Sequence, residues 1–465
     1  MELIIFIIGA AALVWASFFF LRGSLLAGCL AVIITSACFG YAFWHFEGGI
    51  PITVDRVLVA VLAAMYLVRR RWGMADPKPL CQVEWVLLAF LTVLAISTFA
   101  HNWHASNGQA AAHLIIYWML PALVYWIARQ SPVNERTLRG MWIALAVFGI
   151  YLTWTALAEA SGQMWAVFPT YIAAPDGEYF GRARGPFLNP AAMGIYLTVC
   201  MAAALTFWPY VNCAAKLGLL AFLMATLVGI YATLTRSAWM GGALGLAVFV
   251  GLSVPRQWRS LFLAVSVAGS LLIVATSWDR IFNLKRDVNL EASAAANSAE
   301  LRPLLANVAW NMFCDRPLFG CGFDQYTREK MPYLADRSGS YPLEKTRHYV
   351  QHNAFLALLV ETGLVGMGLF CVLLFLWTRS AWRLWRDENV RPIVHQTGIL
   401  FLALVGAYLP NAFFQDTNII DGLNLLLFFM AGVVSNLESR RISDLSHRDA
   451  TEDRALRQEF VLQSI

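Results

Sequence analysis

Two histidines four residues apart, His348 and His352, stand just ahead of an apolar run that begins at Ala354, with Arg347 before them and Asn353 between them and the run. Histidine in its ordinary state titrates at about 6.5. One placed at the mouth of an apolar segment suits general-base removal of a proton from a hydroxyl. The start of a helix also presents free N–H groups and a positive dipole end, which favour an anion. The plainer alternative is a capping or interfacial histidine. At a spacing of four, both rings would share one face of a helix that included them, which leaves two candidates for the base. Glu361 lies inside the apolar run, where a charge is costly and calls for a buried partner. Gly363 and Gly366 allow close helix packing.

Two further groups of residues could hold an anion. Arg182 and Arg184 lie in the stretch Gly181–Pro190, and Arg236 lies in the short hairpin Thr233–Trp239 between two apolar runs. A guanidinium fork matches phosphate oxygens in a bidentate way. The alternatives are interfacial anchoring, a salt bridge from the first pair to Asp176 or Glu178, or a helix-end role for Arg236.

The elements that must position these groups follow from composition. Of 465 residues, 59% are hydrophobic and 14% charged, against about 45–50% and about 25% for soluble domains. Uncharged apolar runs of about 18 or more residues read as membrane-spanning helices. The alternating short segments of a barrel are absent. The expected fold is therefore an all-α integral membrane bundle of about 12–13 transmembrane helices. The expected spans are Leu3–Leu21, Leu25–Trp44, Val57–Val68, Trp85–Phe99, Leu114–Ala128, Met141–Leu157, Ala191–Tyr210, Leu217–Leu234, Trp239–Val254, Leu261–Trp278, Ala354–Trp377, Ile399–Phe414 and Leu423–Leu437. The start, Met1-Glu2-Leu3-Ile4, lacks a basic n-region, so the first run reads as a retained helix.

Basic residues of short loops stay cytoplasmic. Arg69–Arg71 with Lys78, then Arg129, Arg136 and Arg139, Lys216, Arg256 and Arg259, Arg379–Arg391, and Arg440 with Arg441 fall on one side; His101–His113 and Gln415–Asp421 carry no Lys or Arg. The C-terminus is thus expected in the cytoplasm, and the loops 159–190 and 279–351 outside. Arg182, Arg184 and Arg236 then sit on the unfavoured side for arginine, and need a reason to be there. Leu301–Phe313 reads as a short surface helix, and Asp287–Glu300, rich in Ala, Ser and Asn, as a mobile stretch. The expected organisation is N-terminal helices over 1–158, a core with the large loop over 159–378, C-terminal helices over 379–437, and a polar tail over 438–465.

The net charge of +5 lies between helices and gives no reason to expect nucleic acid. No Cys or His spacing resembles a zinc site, and neither a metal nor a cofactor is expected. Cys314 and Cys321 share one loop, where a disulfide or two free thiols are both open readings.

Taken together, the polar segments resemble the O-antigen ligase and polymerase superfamily. His352-Asn353, nine residues, Gly363, two residues and Gly366 match the ligase pattern H-[NSQ]-x9-G-x-x-G. Arg316-Pro317-Leu318-Phe319-Gly320-Cys321-Gly322-Phe323 resembles the PLFGxG stretch, Arg184-Gly185-Pro186-Phe187 with Asn189-Pro190 the R-G-x-F-x-N-P element, and Thr235-Arg236-Ser237 the arginine hairpin. The resemblance implies a metal-independent, inverting transferase in the bacterial inner membrane, active at the periplasmic face. Its donor would be an undecaprenyl-diphosphate-linked glycan. Its acceptor would be lipid A–core, as in a ligase, or another lipid-linked repeat, as in a polymerase. His352 would be the base, Arg184 and Arg236 would hold the diphosphate, and Arg182, Arg347, His348, Asn353 and Glu361 would support them. The ligase reading is preferred on the His-Asn-x9-Gly-x-x-Gly match.

A small-anion transporter is the rival from another class. It would place polar groups at mid-membrane depth in broken, repeated helices, whereas here they gather at one face. The topology is testable: a reporter active only in the cytoplasm should work when fused after Ile465, and one active only outside should work when inserted in the loop 279–351. The reverse pattern would invert the orientation.

Overall fold

In lipid a backbone has no partner but itself, so long uncharged stretches fold as helices. The computed structural model describes residues 23–46, 51–101, 110–175, 179–266, 268–269, 276, 292–335, 342–420 and 422–442. Apart from one pair of two-residue strands, its regular structure is helical.

Helix α1 (Leu25–Phe39) is capped by Ser24, whose hydroxyl accepts from the Ala27 N–H. A two-residue antiparallel ladder, β1 (His45–Phe46) with β2 (Ile52–Thr53), leads to α2 (Val54–Arg71). Then come α3 (Gln82–Ala100), α4 (Ala110–Arg129, with a π-turn over Ile115–Met119) and α5 (Glu135–Ala160). They are followed by α6 (Pro190–Leu205), α7 (Cys213–Ala232) and α8 (Arg236–Ser253). After the extramembrane helix α9 (Ala292–Asp315) come α10 (Ala354–Arg386), α11 (Pro392–Phe414) and α12 (residues 423–442).

Seven of the described helical stretches are long and apolar enough to cross a membrane by themselves: α3, α4, α5, Pro190–Tyr210, α7, α10 and α11. The chain is an all-α, multi-pass membrane protein. The first expected span, Leu3–Leu21, lies outside the described residues, and the tenth, Leu261–Trp278, is described only in part. Each of the others has a helix at its place, with ends that differ. The second stops at Phe39 and not Trp44, because residues 41–46 turn into the small ladder. Helix α9 begins at Ala292, so residues 292–300 of the stretch Asp287–Glu300 are helical, and residues 287–291 lie outside the described residues. Helix α12 continues to residue 442, past the expected start of the polar tail.

Helices α6, α11 and α12 form the centre, where nearly every side chain is buried. Helix α8 reaches α11 through glycines. A Cβ on Gly241 would stand 2.5 Å from the Ala407 carbonyl oxygen, and one on Gly245 2.9 Å from that of Ala403.

At the arginine-rich end, opposite His352, buried charges tie early helices to the last. Arg129 Nε lies 2.5 Å from Glu84 Oε1, which also accepts from the Tyr125 hydroxyl at 2.5 Å. Lys78 donates to Asn436 at 2.5 Å, and Arg441 bridges Glu438 and Asp387.

Helix α10 is broken at Gly363, whose φ of 65° and ψ of −166° are not helical. The break frees two carbonyls and two amides, and the loop 317–322 satisfies all four. Cys321 and Gly322 donate to the Val360 and Glu361 carbonyls at 2.9 and 3.0 Å, and Leu364 and Val365 donate to those of Pro317 and Leu318 at 2.8 and 3.2 Å. A side chain fits at neither crossing. A Cβ on Gly363 would lie 2.2 Å from the Leu318 oxygen, and one on Gly320 2.4 Å from the Glu361 carbonyl carbon. Beyond the break, residues 364–386 still give about 34 Å of helix, enough to cross the hydrocarbon core. Gly363→Ala and Gly320→Ala should each cost about 1–3 kcal/mol from the forced φ alone, and more from the clash. A control Gly368→Ala, at a helical position with open space around it, should be neutral or stabilise by up to about 1 kcal/mol. Thermal unfolding in detergent checks the difference.

Candidate active site

The candidate site is built on residues 414–418, the turn at the end of α11. Asp416 reaches back to the chain just before α10. Its Oδ2 accepts from the His352 N–H at 3.0 Å and its Oδ1 from the Asn353 N–H at 3.1 Å. The Ala354 N–H donates to the Gln415 carbonyl at 3.2 Å, and Asn418 Nδ2 donates to the Ala354 carbonyl at 2.8 Å. Asn353 then caps α10, its Oδ1 accepting from the Leu356 N–H at 2.9 Å. These bonds hold His352 at φ 50°, a left-handed conformation that costs a non-glycine residue energy and recurs at functional positions.

The same carboxylate orients the ring. His352 Nδ1 lies 3.5 Å from Asp416 Oδ2, and the imidazole is one-third exposed. With Nδ1 turned to the carboxylate, Nε2 is the nitrogen left to accept a proton. Burial pushes the Asp416 carboxyl above its usual range, against the opposing pull of His352 and the two amides.

Cationic groups gather beside this turn. Arg302, on α9, donates from Nη2 to the Phe414 carbonyl at 3.5 Å, and its guanidinium sits 5.3 Å from the Phe414 ring centre. Burial first, and then the charge of neighbouring Arg236, push the Arg302 guanidinium below its usual value. Arg236 opens α8 and is half-buried. Two arginines that feel each other's charge suit a ligand with two negative charges. Further back, buried Lys330 donates to the Thr346 and Tyr349 carbonyls at 3.1 and 2.6 Å and so fixes the approach to His352. Its burial lowers it to about 8.

The other expected residues take different places. Arg184 is buried and engaged. It donates to the Ile172 and Ala174 carbonyls at 2.9 and 2.7 Å, faces Glu159 at 4.0 Å and stacks on Phe180. Glu159 also accepts from the Gly185 N–H, and the Ala183 N–H donates to the Ala232 carbonyl at 2.9 Å. Arg184 thus braces the turn that abuts the Arg236 hairpin. Arg182 lies over the Tyr179 ring at 5.1 Å. Arg347 is exposed and paired with Glu344.

His348 is exposed, and residues 347–353 are not helical, which corrects the shared helix face expected of the two histidines. The partners of Glu361 are the backbone N–H groups of Asp324 and Tyr326 and not a cation. Cys314 and Cys321 are free thiols. Among the described residues no group of three or more His, Cys, Asp or Glu side chains is placed to hold a metal ion.

Sequence reasoning missed Asp416 and Arg302. An acid directly after a span that ends on the His352 side was a usable signal for Asp416. Arg302 had none, since nothing in its spacing ties it to Arg236.

Asp416→Ala would leave two amides without an acceptor and should destabilise the protein by about 2–6 kcal/mol, at about 1–3 kcal/mol per buried orphan. Asp416→Asn keeps one acceptor and should cost about half as much. Thermal unfolding of both variants checks the order.

Residues 219–371 match the O-antigen ligase family model. That range takes in Arg236, Arg302, His352 and the interlocked glycines. The chain is also similar to the exopolysaccharide production protein ExoQ of Rhizobium meliloti (strain 1021), at 26% identity over 372 residues, which covers 77% of this chain and 79% of that protein.

Proposed function

From the match of residues 219–371 to the O-antigen ligase family model and the similarity to ExoQ, we propose that the protein is a membrane enzyme of polysaccharide biosynthesis that transfers a glycan from undecaprenyl diphosphate to an acceptor hydroxyl at the periplasmic face of the inner membrane. The observation that carries this reading is the juxtaposition of an oriented histidine with Arg302 around one turn, residues 414–416, where Arg302 also feels the charge of Arg236.

His352 Nε2 takes the proton of the acceptor hydroxyl, and the oxygen attacks the anomeric carbon. The bond from that carbon to the diphosphate oxygen breaks with inversion, and undecaprenyl diphosphate leaves with the electron pair. Arg236 and Arg302 hold the charge that develops on the leaving group. Asp416 stabilises the imidazolium and keeps Nε2 turned to the acceptor. Arg184, with Glu159, holds the turn that supports Arg236, and is assigned no direct contact with the diphosphate. The leaving group is already good, so positioning and charge neutralisation do most of the work.

A ligase and a polymerase share these steps and differ in the acceptor. The histidine–glycine pattern favours the ligase. The polymerase is kept as the second reading because the similar ExoQ is named for exopolysaccharide production. The small-anion transporter is disfavoured because the charged groups gather at the ends of the bundle and not at mid-depth, with the candidate site at one of them.

In purified enzyme, His352→Ala should lower the transfer rate about 10²–10⁴-fold. Arg236→Ala and Arg302→Ala should each lower it about 10²–10³-fold. In cells the lipid-linked donor should accumulate, and the unfinished product would separate failed ligation from failed polymerisation. Arg184→Ala should lower the yield of folded protein more than the rate per folded molecule. Full transfer by all three site variants would overturn the assignment.

A further inference from the structure

The arginines at the end of the bundle opposite His352 are of two kinds, and the mechanism uses neither. Those that face inward have acids. Arg129 meets Glu84, Arg440 meets Asp76, and Arg441 meets Glu438 and Asp387. Others lie on the outside of the bundle, and on α10 they follow a pattern. Phe375, Arg379, Trp382 and Arg386 are all exposed and fall at i, i+4, i+7 and i+11. At about 100° per residue these four share one face of the helix. Phe375 is 63% exposed and belongs to the apolar part of α10. One stripe thus runs from lipid-facing apolar surface into a cation, an indole and a second cation, with about 10 Å of rise from Arg379 to Arg386.

A second element comes up to this stripe. After α8 the chain makes one short 3-10 turn, Arg256–Trp258, in which both named residues are exposed. The Leu252 carbonyl fixes its place, accepting from Arg259 Nη2 and from Trp385 Nε1, each at 3.3 Å. Arg259 Nε also donates to the Val254 carbonyl at 3.0 Å, and its guanidinium sits 5.0 Å from the Trp385 ring centre. The Trp385 ring lies 4.6 Å from that of Trp382. Arg259, Trp385 and Trp382 therefore join the turn after α8 to the stripe on α10. The joint surface has cations on two elements and indoles between them.

Acids do not neutralise it. Among the described residues, Arg256, Arg259, Arg379 and Arg386 have no carboxylate within ion-pair distance, since Asp387 is taken by Arg441 and Glu438 by Arg441 and Arg383. Glu388, exposed past the end of α10, is the nearest acid left along the chain.

The chemistry of this face selects its partner. Topology asks for basic residues in loops, but not for guanidinium groups set beside indoles on the outward face of a span. Tryptophan favours the headgroup level, where its ring is apolar and its N–H finds a polar partner. A guanidinium beside it stands at the height of lipid phosphate and can pair with two of its oxygens. A zwitterionic headgroup brings its own cation, which four unneutralised arginines repel. A headgroup with net negative charge does not. A soluble anion would leave the apolar half of the stripe without a role.

We propose that this face, Phe375 to Arg386 with the turn Arg256–Arg259, is a binding site for an anionic phospholipid of the adjoining leaflet. Its phosphate lies between the two elements and its acyl chains run along α10 past Phe375. The proposal is independent of the transferase reading, and the site is at the opposite end of the bundle from His352.

The test measures lipid binding. The full chain in detergent is titrated with phosphatidylglycerol and with phosphatidylcholine of the same acyl chains, and native mass spectrometry reads the affinity for the first lipid held. Phosphatidylglycerol should bind about tenfold or more tightly than phosphatidylcholine. Arg379→Gln with Arg386→Gln should bring the two lipids within about twofold of each other. The control pair Arg71→Gln with Arg136→Gln removes as much charge from exposed positions at the same end, and should keep the preference of the parent within about twofold. Glycerol 3-phosphate, the anion without its chains, should not displace the lipid at millimolar concentration. The substituted arginines are all exposed, and matched thermal midpoints confirm that both double variants are folded.

Equal affinity of the parent for the two lipids would overturn the proposal. So would an equal loss in the control pair, which would make the preference one of general surface charge. An unchanged preference in the Arg379 and Arg386 variant would place the lipid elsewhere. Displacement by glycerol 3-phosphate would make the face a site for a soluble anion and overturn the lipid.

Discussion

The break in α10 at Gly363 is the constraint from which the site follows. A helix that stops and restarts exposes backbone groups, and inside a bundle each unpaired group is expensive. Four bonds from residues 317–322 remove that cost and fix where the large extramembrane segment returns to the bundle. The short helix between His352 and the break is thereby held at both ends, by Asn353 and the Asp416 turn at one and by the loop at the other. His352 therefore sits on rigid backbone although it lies outside any helix, which is what a base that must hold its geometry needs.

The second support is the turn after α11. It gathers groups from distant parts of the chain because its carbonyls and carboxylate face the start of α10 and the flank of α9. Strain concentrates in the same region. Leu188, Leu234, Asp324 and His352 all take left-handed backbone angles without being glycine. Each lies in a connection beside the turn bearing Arg184, the Arg236 hairpin, the 317–322 loop or the base. Tight turns let arginines approach from short hairpins that would otherwise be too stiff to aim them.

The bundle was legible in the sequence because apolar length is a strong and local signal. The site was legible only where residue type and a fixed interval coincide, as from His352 to Gly366. Asp416 and Arg302 reach the site through tertiary contact, 64 and 50 positions from His352 along the chain, and no interval announces them. Arg184 was legible as an anion-binding candidate, and the structure adds a contact that no interval announces, since Glu159 faces it at 4.0 Å. Glycine pairs were read as tolerance for helix packing. Their use here is stricter, since Gly320 and Gly363 make room for each other's backbone.

The interlock also separates two problems that a glycan-handling protein faces. The chain leaves the bundle beside α10 at the interlock and returns to it beside α10 at His352, with Lys330 tying that return to Thr346 and Tyr349. Lengthening such an excursion adds little closure entropy. A chain with the same two glycine motifs could therefore exchange this insert for another, altering the surface presented to large polymers while the reacting groups keep their register. Divergence in substrate and constancy in chemistry would then occupy different stretches of one chain, joined only at the break.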